Sequence, residues 1–113
     1  MTYAVRQRRP RGWVHPDLAE VGLGGVLESL ADPVRLEVVR QLAAAGGVVD
    51  GAFDVPVTGQ TLSHHLRILN DAGLVRVSQV GRFRRCELRL TEVEQRFPGL
   101  LPAVLVNAGA AHR

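Results

Sequence analysis

The hydrophobic periodicity of the chain changes at Gly73, and this change limits the folds that its second half can form. Before Gly73, the segment TGQTLSHHLRILNDA has a potential N-cap in Thr58 and three leucines at helical spacing, Leu62, Leu66 and Leu69. After it, LVRVSQV and RFRRCELRL show alternating patterns around Gly81, which predicts two antiparallel strands joined by a tight turn. A helix followed directly by a β-hairpin is therefore predicted.

Two more helices are predicted upstream of this unit. In ADPVRLEVVRQLAAAGG, Asp32 can cap the helix, Pro33 suits its first position and Gly46 can end it. Residues 17–31 also have apolar side chains at helical spacing, but three glycines weaken the middle of that helix. Residues 47–57 contain two glycines and a proline, so at most a short helix is expected there.

A further helix is predicted after the hairpin. Residues 91–94, Thr-Glu-Val-Glu, have the spacing of a capping box, and Pro98 interrupts this helix before a last apolar segment. The order of helix, helix, short helix, helix, hairpin and helix predicts a mainly α winged helix-turn-helix fold. We assign this domain to residues 17–108, with a basic flexible arm over residues 1–16 and a tail over residues 109–113.

Positive charge is concentrated in two blocks of the chain. Residues 1–16 carry four arginines and no acid, residues 17–54 carry two arginines and seven acids, and residues 55–90 carry six arginines and two acids. Basic regions of this kind are typical of proteins that bind polyanions, although a solvated surface is the ordinary alternative. The predicted helix and hairpin both belong to the second basic block.

Cysteine usage and hydropathy exclude several classes of protein. The single cysteine, Cys86, excludes an intramolecular disulfide and a thiolate-rich metal cluster within one chain. No apolar run approaches the roughly 20 residues that span a bilayer, and no apolar stretch follows the N-terminal arginines. We therefore expect a cytoplasmic protein without a membrane partner.

The two adjacent histidines of the helix before Gly73 are predicted to lie on different faces. At about 100° per residue, His64 points away from the leucines, together with Gln60 and Arg67, while His65 leans back toward the core. Adjacent helical side chains diverge, which argues against a metal site built by the pair. We expect a structural, hydrogen-bonded role for His65 and a DNA contact for His64, whose alternative is an ordinary exposed histidine.

The polar stripe of this helix has the residue types that read a DNA major groove. Glutamine can pair with adenine and arginine with guanine, while the arginines near Gly81 can reach a phosphate backbone. The predicted DNA-binding residues are Thr58, Gln60, Thr61, Ser63, His64, Arg67, Arg82, Arg84 and Arg85.

Three segments together resemble the ArsR/SmtB-type bacterial repressors. LADPVRLEVVRQL is similar to that family's Ala-Asp-Pro-x-Arg-Leu helix start, LSHHLRILNDAGLV is similar to its recognition segment, and GRFRRCEL follows at the position of the wing. By this resemblance, His65 and Leu66 occupy the family's His-Leu pair, and the polar stripe occupies its DNA-facing positions. The resemblance implies a homodimer joined through its first and last helices, bound to an inverted repeat in a promoter and released by an effector.

The chain departs from the metal-sensing members that it resembles. Their Cys-x-Cys pair would fall around residues 47–55, which hold neither Cys nor His. Their other common site uses Asp and His on the last helix, and here only His112, near the end of the sequence, corresponds to it. We predict no cofactor, no metal site and an effector other than a metal bound by a cysteine cluster. A site formed by His15 and His112 across a dimer is the remaining alternative. Cys86 is predicted to be a small core residue, with a redox sensor as its alternative.

The predicted function is a DNA-binding transcriptional regulator, most simply a repressor, with no enzymatic activity. One alternative is a winged-helix module that binds another protein, against which the arginine-rich wing beside the polar stripe argues. Another is a small hydrolase that uses His64 or Cys86. No Ser/His/Asp or Cys/His set has a spacing that supports this chemistry.

Overall fold

The computed structural model describes residues 12–110, and in this range a three-stranded antiparallel sheet packs with five α-helices. A single 3-10 turn, Leu18–Glu20, precedes them. The elements are α1 (Leu23–Leu30), α2 (Pro33–Ala44), β1 (Val48–Asp50), α3 (Gly59–Asp71), β2 (Val75–Val80), β3 (Phe83–Leu88), α4 (Leu90–Arg96) and α5 (Leu100–Ala110). The predicted winged helix-turn-helix fold is confirmed, and no helix of the described range is long and apolar enough to cross a membrane.

The helix α2 begins and ends where the sequence predicts. The Asp32 carboxylate accepts hydrogen bonds from the backbone N–H groups of Val34 and Arg35 at 2.8 and 3.0 Å, and Pro33 occupies the first turn. Both donors would otherwise lack a partner at the helix start. Gly46, with a φ of +84°, turns the chain away after the helix.

The predicted first helix is wrong in its N-terminal half. Residues 17–31 form the 3-10 turn and then α1, with extended backbone at Val21 and Gly22 between them. This break lets both Leu18 and Val21 enter the core, where a Cβ atom at Gly73 would lie 3.2 Å from each side chain.

The short helix predicted within residues 47–57 is also wrong, because this segment supplies the strand β1. It pairs antiparallel with β3, with Val49 opposite Cys86, and the strand order is β1-β3-β2. The outer edge of β3 would otherwise leave its backbone groups unpaired. The strand β1 has three residues, too few to show the alternating pattern of a strand, so its structure depends on pairing with the open edge of β3.

The helix and hairpin around Gly73 are confirmed. The Thr58 hydroxyl accepts a hydrogen bond from the Thr61 N–H at 3.2 Å, and the three leucines of α3 are buried. The strands β2 and β3 pair from Val75 opposite Leu88 to Val80 opposite Phe83. The buried face of this hairpin packs on α3, so the hydrophobic core lies between the sheet and the helices.

The capping box predicted at residues 91–94 is wrong. The helix α4 begins at Leu90, with Arg89 and not Thr91 at the cap position, and Glu94, the acid of the predicted box, accepts the Gly99 N–H instead. The buried Arg89 donates to Glu92 through Nε and Nη2 at 3.0 and 2.7 Å, and Arg76 donates to Glu92 at 3.0 Å. Pro98 separates α4 from α5, as predicted.

Residues 12–16, which we call the N-terminal strap, pack against the domain instead of belonging to a flexible arm. The buried Asn70 amide donates to the Val14 carbonyl at 2.7 Å, and its oxygen accepts the Val77 N–H at 3.1 Å. His15 Nε2 donates to the Val77 carbonyl at 2.8 Å, and Arg89 donates to the Pro16 carbonyl at 2.7 Å. The folded domain therefore begins before Asp17, and the remainder of the predicted arm, residues 1–11, lies outside the described residues.

The two arginines around Glu92 make acid stability sensitive to this carboxylate. Hydrogen bonds from Arg89 first, and then from Arg76, lower the pKa of Glu92 to about 2 from its usual 4.5. A lowered pKa in the folded protein stabilises the fold above pH 4.5, and this contribution is lost as the pH falls from 4.5 toward 2.

We therefore expect Glu92→Gln to lower the free energy of unfolding at pH 7 by roughly 1–3 kcal/mol, less than the full pKa shift implies because the carboxylate is partly exposed. Denaturant titrations at several pH values measure this effect. The wild type and the variant should converge only as the pH approaches 2, whereas Glu20→Gln, on the exposed 3-10 turn, should follow the wild type throughout. An equal loss at all pH values would contradict the ionic role of Glu92.

Candidate nucleic-acid interface

The outer face of α3 presents the predicted polar stripe. Gln60, Thr61 and His64 are exposed there, on the side of the helix opposite its buried leucines. At the helix start, the Thr58 hydroxyl both accepts the Thr61 N–H and donates to the Thr61 hydroxyl at 3.0 Å. The N-terminal half of α3 is therefore a polar surface at the positive end of a helix dipole, which suits an anionic partner.

The two histidines diverge as predicted and have different environments. Their ring centroids lie 5.8 Å apart, with His64 exposed and His65 half-buried. His65 Nδ1 lies 3.1 Å from Arg35 Nη1 and 3.8 Å from Asp32 Oδ2. A guanidinium group only donates, so Nδ1 acts as the acceptor. His65 therefore links α3 to the start of α2, which confirms its predicted structural role.

The three arginines of the hairpin have three different environments. Arg82 is exposed at the turn, while Arg84 is half-buried and donates to the Ser63 hydroxyl of α3. Arg85 forms a two-point ion pair with Asp50 of β1, at 2.7 and 3.1 Å. The hydrogen bond from Arg85 lowers the pKa of Asp50, so this pair stays ionised at neutral pH. Of the three, Arg82 is the residue best placed to bring uncompensated positive charge to a partner.

Arg67 lies against the N-terminal strap. Its guanidinium carbon is 3.9 Å from the centroid of the Trp13 ring, and both side chains are half-buried. Stacking on a ring uses the face of the guanidinium and leaves its N–H edge able to donate. Trp13 thus holds the side chain of Arg67, a predicted DNA-facing residue of α3, in one orientation.

Four residues that shape this surface were not predicted from the sequence. Trp13 and Asn70 attach the strap to α3, Arg35 binds His65, and Asp50 neutralises Arg85. Asn70 had a detectable signal, since an asparagine one residue after the last leucine of an amphipathic helix needs partners when it is buried. Trp13, Arg35 and Asp50 each lie 30 or more positions along the chain from the residue that they contact. No local spacing pattern could therefore reveal these contacts.

Cys86 is a core residue, as predicted. Its side chain is fully buried on the inner face of β3, and burial raises the pKa of the thiol to about 11 from 9.0, partly offset by Arg84. Within residues 12–110, no three His, Cys, Asp or Glu side chains form a group that could hold a metal ion. His112, the proposed partner of His15, lies outside the described residues.

Comparisons with known proteins agree with this geometry. A helix-turn-helix domain family matches residues 30–78, which extend from the end of α1 into β2. A search of curated protein sequences found no match. A crystal structure of an ArsR family transcriptional regulator is similar at 25% sequence identity, with a TM-score of 0.55 over 80% of this chain and 94% of that chain.

The chain has a helix-turn-helix domain and the winged fold of an ArsR family transcriptional regulator. The resemblance seen in its sequence is confirmed, and this fold supports a DNA-binding transcriptional regulator, a class of protein that is generally not enzymatic. In this fold, α3 lies at the position of the recognition helix and the β2–β3 hairpin lies at that of the wing.

The environment of Cys86 predicts an unreactive thiol. Raising its pKa by two units lowers the thiolate fraction at neutral pH by about a hundredfold, and burial blocks access as well. We expect Ellman's reagent to react with the native protein far more slowly than with the protein in guanidinium. Cys86→Ala should retain DNA binding and its regulation. Rapid stoichiometric labelling of the native protein would show instead that Cys86 can act as a redox sensor.

Proposed function

We propose that this chain is a repressor that binds an inverted-repeat operator as a homodimer, with α3 in the major groove and the wing on the adjacent backbone. The observation that supports it best is the contact between Ser63 and Arg84, which joins the polar face of α3 to the wing. This contact makes one continuous surface of two elements that are separate in the sequence. The protein would act in the cytoplasm, where bacterial promoters are found.

The side chains of this surface suit two kinds of contact. We assign base reading to Gln60, His64 and Arg67, and phosphate contacts at the helix start to Thr58 and Thr61. Ser63 and Arg84 position the wing against α3 while offering polar groups to the backbone. Arg82 contributes free positive charge, and Arg85 contributes less because Asp50 compensates it.

Apolar surface on α1 and α5 supports the homodimer. Leu23 and Leu27 of α1 are each 47% exposed, and Val106 of α5 is 74% exposed. The helix α5 has only one polar side chain, Asn107, among its eleven residues. Exposed apolar helices of this kind are stabilised by burial against a second copy. A dimer would place two α3 helices on successive turns of a duplex, as an inverted repeat requires.

The effector of the proposed repressor is not a metal held by cysteines. The one thiol is buried in the core, and the segment between α2 and α3 holds neither Cys nor His. We therefore expect near-stoichiometric zinc, cadmium or arsenite to leave DNA affinity unchanged.

The proposal is tested by separating base contacts from charge contacts. A duplex that the full chain selects from a randomised pool serves as the operator, and a scrambled duplex serves as the reference. Gln60→Ala should cost about 1–3 kcal/mol on the operator and much less on the reference, because base contacts carry discrimination. Arg82→Ala should weaken binding to both duplexes similarly and lower the salt slope by about 0.9.

Arg40→Gln is the charge-matched control, since Arg40 lies on α2 in an ion pair with Glu37. It should change neither specificity nor the salt slope. Failure of the full chain to select any sequence, with no salt-dependent binding, would favour the protein-interaction module instead. Equal losses on both duplexes from Gln60→Ala would show that α3 does not read bases.

The dimer gives a second prediction. The full chain at micromolar concentration should sediment at twice the mass of one chain, and Leu27→Glu or Val106→Glu should convert it to a monomer, because a charge cannot be buried unpaired in an apolar interface. Phe83→Glu is the matched control: Phe83 is 62% exposed but lies on the wing, so this variant should stay dimeric. A monodisperse wild-type monomer would contradict the proposed dimer.

A further inference from the structure

Three polar side chains lie in a row along one side of α3. Ser63, Arg67 and Asn70 follow one another at intervals of four and three residues, so they share one side of the helix. Ser63 contacts Arg84 of the wing, while Arg67 and Asn70 contact the N-terminal strap. The strap therefore continues along α3 the set of contacts that the wing begins.

Arg67 lies at the border between this row and the face that would read bases. It is seven residues from Gln60, so the two side chains differ by only about 20° around the helix axis. His64, about 60° from Arg67, belongs to the same polar face. The residue of α3 that stacks on the strap is therefore also one of the three to which we assign base reading.

The hydrogen-bonding groups of Arg67 are free although its side chain is half-buried. Within residues 12–110, its guanidinium forms no ion pair and donates no hydrogen bond, and the centroid of the Trp13 ring lies 3.9 Å from its central carbon. Asp71, the acid one turn further along α3, instead accepts a hydrogen bond from Asn70 at 3.4 Å. The N–H groups of Arg67 are thus available to a partner.

The Trp13 ring is held in place by the strap and by the core. The Val14 carbonyl next to it accepts from the buried Asn70, and His15 donates to a carbonyl of β2. Trp13 itself packs against the hydrophobic core. A buried polar group is costly to leave without its partner, so these contacts keep the strap on α3 and β2. The ring is therefore a fixed surface for the guanidinium of Arg67.

We propose that Trp13 is a specificity-determining residue of the DNA interface, whose ring orients the guanidinium of Arg67 for a two-point contact with one guanine of the operator. Trp13 is the positioning residue, and Arg67 makes the contact. This inference rests on the proposed function, because it needs α3 to lie in the major groove.

The geometry of stacking explains why the effect is on specificity. The ring covers one face of the planar guanidinium and leaves its N–H edge for the two acceptors that guanine presents in the major groove. Without the ring, Arg67 has to lose more side-chain entropy to adopt this orientation on binding. Its charge still attracts any phosphate, so the strap adds discrimination between bases and little general affinity.

The first test compares two full-chain variants on the selected operator and on the scrambled reference duplex. Trp13→Phe keeps an aromatic ring under Arg67, whereas Trp13→Leu keeps apolar packing against the core without that ring. Trp13→Leu should weaken operator binding roughly fivefold to fiftyfold and leave reference binding and its salt slope unchanged, because all charges are retained. Trp13→Phe should stay within about threefold of the wild type on both duplexes.

Val14→Ala is the matched control for the strap. Its side chain is 60% exposed, and only its backbone carbonyl binds Asn70, so this variant should match the wild type on both duplexes. Equal operator affinities for the wild type, Trp13→Leu and Trp13→Phe would overturn the proposal.

The second test asks whether Trp13 acts through Arg67. Operators with single base-pair substitutions are titrated with the wild type, Trp13→Leu, Arg67→Ala and the double variant. Both single variants should lose their preference at the same base pair, and the double variant should lose no more there than Arg67→Ala alone, because residues that act as one unit are not additive. Losses at different base pairs, or additive losses at one, would overturn the proposal.

A third measurement uses the unmodified chain, so it does not depend on how a variant folds. Trp13 is the single tryptophan of the sequence, and its fluorescence therefore reports on this contact alone. Operator binding should reduce quenching of this fluorescence by acrylamide, because the duplex comes to lie against Arg67 and the ring beneath it. Unchanged quenching on the operator would overturn the place of Trp13 in the interface.

The inference and the proposed function fail in different ways. If α3 reads bases without the help of Trp13, Gln60→Ala and Arg67→Ala lose discrimination while Trp13→Leu retains it. This result overturns the inference and leaves the proposed function intact. If α3 does not read bases, none of the three variants changes discrimination, and both proposals are overturned.

Discussion

The leucine stripe of α3 is the constraint on which the rest of the structure depends. Because Leu62, Leu66 and Leu69 are buried against the sheet and α2, the opposite face of the same helix must be exposed. That face carries the polar residues that would read DNA, so the burial of the leucines on one face also sets which residues the other face can present to DNA. A rotation of α3 about its own axis by one residue, about 100°, would bury Gln60 or His64 and expose a leucine. The loss of stability would be on the order of several kcal/mol.

Polar contacts then fix the neighbours of α3 in relation to its outer face. Ser63 binds Arg84 of the wing, Asn70 binds both the strap and β2, and His65 binds Arg35 near the start of α2. Ser63 and Asn70 lie seven residues apart on one side of α3, and His65 lies on another side. Each contact reaches a different element. The recognition helix is thereby the centre of a polar framework as well as of the apolar core, and its orientation depends on both.

The arginines of the second basic block differ in whether their positive charge is paired with an acidic side chain of the fold. Arg89 and Arg76 stabilise the fold through Glu92, and Arg85 is compensated by Asp50. A count of positive charge therefore overstates the charge that this block offers to DNA.

Much of the fold follows from local patterns, and the errors share one physical cause. The caps at Asp32 and Thr58 and the change of period at Gly73 depend on neighbours within a few residues, so they were predicted correctly. The strand β1 exists because β3 has an open edge, and the cap position of α4 lies at Arg89, which is buried and binds the distant Pro16 carbonyl. Neither cause lies within reach of a local pattern.

The sequence by itself determined the winged helix-turn-helix fold, the outward face of α3, the separate environments of His64 and His65 and the burial of Cys86, since helical and strand periods dictate which side chains share a face. The tertiary structure alone decided that Trp13 stacks on Arg67, that Asp50 neutralises Arg85 and that residues 12–16 lie along α3 and β2. These contacts join residues 35 to 62 positions apart, and only the packing of the core brings such partners within hydrogen-bonding distance.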